Sequence, residues 1–201
     1  ILYFGKIEGR RLLPKRRPLS CLGNASLEPH EKAMTMAALA PTSYSIPQKA
    51  LHWLMALLIL FNLIFSDAME EVAEAYERGE VPSDDDLTFA NIHAYVGIAV
   101  LCLGLLRLVI RLTRGAPPAP AEEPPLLQLA AKLAHGTFYA LFFLIPLSGI
   151  GAYYFGNETA GFVHGGPLKA LMWLLIAVHI LALLIHQFYW KTPIATRMTR
   201  G

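Results

Sequence analysis

Four long apolar runs divide the chain, and polar or breaker-rich segments separate them. The runs are residues 47–65, 90–112, 129–155 and 168–190. Each is close to the ~20 mostly apolar residues that an α-helix needs to cross a bilayer. The pattern predicts an all-α protein built as a four-helix transmembrane bundle. Pro47 suits the first turn of helix 1. The third helix extends back to about Leu126, and Pro146 and Gly149 mark a kink within it. Trp190 and Lys191 close the fourth helix as an interfacial anchor.

The segments between the runs are read from their polar content. Residues 66–89 hold nine carboxylates against one base, Arg78, and read as a solvated loop that is partly helical over 68–77. Residues 116–125 are proline-rich and must lie outside the membrane as a non-helical linker. Residues 156–167 read as a short glycine-rich turn. Residues 1–40 carry Arg10, Arg11, Lys15, Arg16 and Arg17 without the apolar core of a signal peptide. They are expected to be a disordered basic leader, upstream of the true start if translation begins at Met34 or Met36. A basic tail on anionic lipid is the other reading. Residues 41–201 form the membrane domain.

Composition agrees with this. Hydrophobic residues make up 55% of the 201 and charged residues 16%, with a mean hydropathy of +0.44. A small polytopic membrane protein fits these values, and a soluble enzyme does not. The net charge of +2 says less than its distribution. Lys49, Arg107, Arg111, Arg114, Lys191, Arg197 and Arg200 fall on one side of the four spans, and Arg78 and Lys169 on the other. The positive-inside rule then puts both termini in the cytoplasm, in a bacterial inner membrane. A disulfide between Cys21 in the leader and Cys102 mid-helix is not expected, and the absence of C-x-x-C-H excludes covalent haem attachment. There is no nucleophile triad or phosphate loop, and a nucleic-acid partner is not expected.

The candidate chemistry lies in the histidines. Ionisable side chains inside apolar helices are rare and usually face something that binds them. Counting depth from the helix ends sorts four histidines into an inner pair, His52 with His186, and an outer pair, His93 with His179. Neutral imidazole is a good iron ligand, and two per haem leave a low-spin centre suited to electron transfer. His135 is open between three roles: a ligand in place of His186, the lining of a quinone pocket, or packing. His164, in the glycine-rich segment, reads as exposed. Gly97 and Gly104 either clear a groove for a porphyrin or let helices pack closely. Arg107 either pairs with a haem propionate or anchors in headgroups, as Arg111 is expected to do.

The motifs HW in helix 1, NIHAYVGIAVLCLGLLRLVIRL in helix 2, LAHGTFYALFFLIPLSGI in helix 3 and HILALLIHQFYW in helix 4 together resemble the bacterial cytochrome b-561 family. That family is similar to the membrane cytochrome b subunits of nickel-iron hydrogenases. The resemblance runs from about Ser45 to Gly201. It implies a four-helix bundle with two b haems and His52, His93, His179 and His186 at the ligand positions. It also implies electron exchange with ubiquinone, from an outer-side donor that in some members is superoxide. The acidic loop would repel that anion and suits a cationic donor, such as a small soluble cytochrome. Two other readings stay open. One is a haem-bearing anchor subunit docking a peripheral redox partner of a larger dehydrogenase or hydrogenase. The other is a haem-free component of a small transporter.

Overall fold

A computed structural model describes residues 43–119, 123–192 and 194–200; the expected leader, with Cys21, lies outside the described residues. Every regular element among the described residues is helical. Helix α1 spans Ile46–Ile64, with Pro47 in its first turn and Gln48 reaching back to accept from the Ser45 backbone N–H (2.9 Å). Helix α2, Asp67–Glu77, carries Asp67 and Glu70 in its first turn, where carboxylates complement the helix dipole. It buries Val72 and Ala75 and packs on α3, Asp84–Arg114.

Helix α3 begins earlier than expected. The Ser83 hydroxyl accepts from the Asp86 backbone N–H (3.1 Å), and Asp84, Asp85 and Asp86 stand at the positive end of the dipole. Residues 84–89, read as loop for their charge, are therefore a capped first turn. Gly115, at φ 71°, ends the helix beyond Arg111 and Arg114. Helix α4, Pro125–Phe155, opens on a proline suited to a first turn, one residue inside the expected linker, and ends on left-handed Gly156.

The fourth span differs most from expectation. Helix α5 runs Glu158–Tyr189, so nearly all of the expected glycine-rich turn is helix. Asn157 caps it by accepting from the Ala160 N–H (2.9 Å). The chain then passes through a π-helical segment, His164–Leu168, and a second one, Ile185–Tyr189. Within a membrane, local π geometry lets a helix carry glycine and proline without stopping. A short helix α6, Ile194–Thr199, follows.

Helices α1, α3, α4 and α5 are long and apolar enough to cross a membrane. The chain is an all-α, multi-pass membrane protein. Close contacts run in series from α1 to α3, α3 to α4, and α4 to α5. Met55, Val100, Leu141 and Met172 are among the few buried core side chains. Close packing explains Gly104, since a Cβ there would stand 3.2 Å from the Cβ of Phe142. Replacing Gly104 with valine is expected to push α3 from α4. The result is a loss of about 1–3 kcal/mol, the usual effect of overpacking, read as a lower thermal midpoint in detergent.

At one end of the bundle, side chains tie the loops together. Gln48 Nε2 donates to the Gly115 carbonyl (2.9 Å), Arg197 Nη1 to that of Pro118 (2.8 Å) and Trp53 Nε1 to that of Met198 (3.4 Å). This is the end that carries the lysine and arginine surplus.

Candidate functional site

The histidines fall into two groups at different depths, but not in the expected pairs. On α1, His52 faces His179 of α5 with ring centroids 6.3 Å apart. His135 of α4 and Phe138 approach the same His179 ring, at 5.8 and 5.7 Å. Nearer the other end, His93 of α3 faces His164 of α5 at 6.1 Å. The structure therefore brings together other pairs than the expected ones. His164 takes the place beside His93 that His179 was expected to fill, and His179 takes the place beside His52 that His186 was expected to fill.

The reason lies in α5. Counting from the helix ends assumed that they are level. His52 stands only six residues after Ile46, whereas His179 stands ten residues before Tyr189, so α5 projects beyond α1. His186, seven residues further along, ends ~10 Å past the level of His179. There it is buried, with Nδ1 2.8 Å from the Thr192 hydroxyl and Nε2 3.5 Å from a carboxylate oxygen of Glu123. Its ring packs on Trp190 at 4.7 Å. No other histidine ring stacks against it among the described residues.

His164 was hidden by its neighbours. His164-Gly165-Gly166-Pro167 reads as a break, and only the capping pair Asn157-Glu158 signals that the helix has already begun. Once α5 is continuous, His164 and His179 are fifteen residues apart, roughly 20 Å along one axis. Fifteen residues at about 100° each overshoot four turns by about 60°. The wider π segment takes back much of that rotation and turns both rings toward the bundle.

The outer pair lies in a cavity of about 710 Å³ that also touches Asn62, Gly97, Gly149 and Lys169. This is within the ~300–1,000 Å³ usual for cofactor sites. Gly97 lines this space, and the nearest atom to a Cβ there is Asn62 Nδ2, 3.8 Å away. His164 Nδ1 donates to the Ile145 carbonyl (2.8 Å), with the Ser148 hydroxyl at 3.3 Å, which leaves Nε2 free to bind. Metal-binding histidines are usually oriented in this way, through the nitrogen that does not bind. His93 Nδ1 and Asn62 Oδ1 are buried without hydrogen-bond partners.

At the inner pair, Arg107 lies beside His52. Its Nη2 donates to His52 Nδ1 (3.3 Å), and its Nη1 to the Gln48 carbonyl (3.3 Å). His135 is exposed, and its Nδ1 donates to the Ala131 carbonyl of its own helix (2.6 Å).

The centroid spacing of each pair is that of two imidazoles on either side of one metal ion. Imidazoles on opposite sides of one ion have centroids roughly 6 Å apart, from bonds of about 2 Å plus about 1 Å to each ring centre. Among the described residues no three His, Cys, Asp or Glu side chains converge as an ion site. A haem needs no such cluster, since the porphyrin supplies four donors and the protein only the axial ones.

The prokaryotic cytochrome b561 family model matches residues 43–201, which includes both histidine pairs. The chain is similar to a cytochrome b562 of Cereibacter sphaeroides, 35% identical over 160 residues, covering 78% of this chain and 95% of that protein. It is also similar to a protein of Yersinia pestis named probable superoxide oxidase CybB. That match is 30% identical over 175 residues, covering 77% of this chain and 94% of that one. With a family match over the whole helical bundle and relatives matched nearly end to end, this chain belongs to the prokaryotic cytochrome b561 family.

Proposed function

We propose that this membrane cytochrome carries two b haems and passes electrons across the bacterial inner membrane between an outer-side donor and the quinone pool. The observation that carries the reading is the two facing histidine pairs, at 6.3 and 6.1 Å, set roughly 20 Å apart along α5. His52 and His179 would hold the inner haem, and His93 and His164 the outer one. The haems supply the one-electron chemistry when bound. The chain's own residues fix the rings, exclude water and set the charge around each site.

Arg107 would leave His52 Nδ1 and take an inner haem carboxylate. His135 is exposed beside the inner pair with Nε2 free, and would face quinone. His186, expected as a ligand, would instead hold α5 to the linker through Glu123 and to the chain just after α5 through Thr192. The lysine and arginine surplus at the His186 end supports cytoplasmic termini. Superoxide is one candidate donor, in keeping with the name of the Yersinia relative. The carboxylates of α2 would slow the encounter with that anion and favour a cationic donor. They would serve equally as a docking face if the chain anchors a larger dehydrogenase.

A reduced-minus-oxidised spectrum and a pyridine haemochrome count on the detergent-purified chain test the reading. Two b haems per chain are expected. A haem-free protein from haem-replete cells would overturn it in favour of a transporter-like role.

A further inference from the structure

Each histidine pair has one cation beside it. Arg107 is hydrogen-bonded to His52 (3.3 Å), and Lys169 shares the outer cavity with the other pair. Lys169 sits on α5 just past the π segment and lines the outer cavity with His93 and His164. Its ammonium donates to the Ser66 hydroxyl at 2.9 Å, a neutral partner. Glu70, Glu77 and Glu158 line the same cavity. Among the described residues, none of the ion pairs includes Lys169.

A part-buried ammonium whose hydrogen-bond partner is neutral gains when an opposite charge is brought beside it. The position therefore suits an anion that arrives with the ligand. A haem brings carboxylates of its own. The geometry points to Lys169 as the carboxylate-binding cation of the outer site, pairing with a propionate of the haem held by His93 and His164 and raising that haem's potential. This rests on the di-haem reading above. The sign follows from charge: oxidised haem carries one more positive charge than reduced haem, so a nearby cation disfavours the oxidised form. Pairing also neutralises a propionate that would otherwise favour it.

The test is a potentiometric titration with haem counts on the full chain and on Lys169→Gln, Lys169→Arg and Ser66→Ala. In Lys169→Gln one haem component is expected to move to lower potential while the other stays. In Lys169→Arg the two components return close to their original positions. Ser66→Ala removes the hydroxyl partner and keeps the charge, and is expected to leave both components in place. Loss of one haem from Lys169→Gln, with the remaining component unmoved, also supports the assignment. Two haems with neither potential moved would overturn it, as would Ser66→Ala reproducing the shift. Fewer than two haems in the unsubstituted chain would instead overturn the di-haem reading, and that result is distinct.

Discussion

Replacing His164 with alanine is expected to take the purified protein from two b haems per chain to one, and replacing His186 is expected to leave both. The contrast is large because, among the described residues, no histidine other than His164 stacks against His93. His164 faces His93 in the outer cavity with its second nitrogen fixed by the Ile145 carbonyl. His186 is buried against Glu123, Thr192 and Trp190, below the level of His52 and His179. The haem left in His164→Ala should be the one lost in His52→Ala or His179→Ala, so the two single losses should show different potentials. Pyridine haemochrome counts and redox titration read both effects. His135→Ala should retain both haems, since His52 is the half-buried partner of His179 and His135 is exposed. Loss of a haem from His186→Ala, with His164→Ala unaffected, would refute the pairing.

The contrast also marks what could be read in the sequence. Four spans, the first helix of the acidic segment and the family were legible because each depends on local composition over many residues. The first helix of the acidic segment was placed within a residue of its observed start and its end correctly, whereas residues 84–89, read as loop, open the next helix. Three of the four proposed ligands, His52, His93 and His179, stand out as histidines in apolar helices.

The partners of those ligands were not legible. Pairing depends on how far each helix projects past its neighbours, and no local pattern encodes that. His164 was lost because Gly165, Gly166 and Pro167 are strong breakers in water. In α5 the π segment absorbs them, and widening relieves the clash of the Pro167 ring with the preceding turn. A local rule about turns gave way to the bilayer's demand that backbone groups be satisfied within the helix.

Replacing Gly149 with valine is expected to cost the outer haem while the inner one remains. A Cβ at Gly149 would stand 2.8 Å from Cε1 of His164, closer than a real Cβ tolerates, and a tight 3.1 Å from its Nδ1. The imidazole is a rigid ring, and its Nδ1 is hydrogen-bonded to the Ile145 carbonyl of the same helix as Gly149. It cannot tilt away without losing that bond and turning from His93. Gly149 therefore reads as the seat of the His164 ring, which explains a glycine three residues after Pro146 better than a kink alone does. Disturbing the groups that orient a metal ligand weakens binding by about 10- to 100-fold in comparable sites. A count falling from two towards one, with the inner component's potential unchanged, would bear this out. Full retention of both haems in Gly149→Val would mean that His164 can leave this seat and still bind, or that it is not the outer ligand. The His164→Ala count separates those two cases.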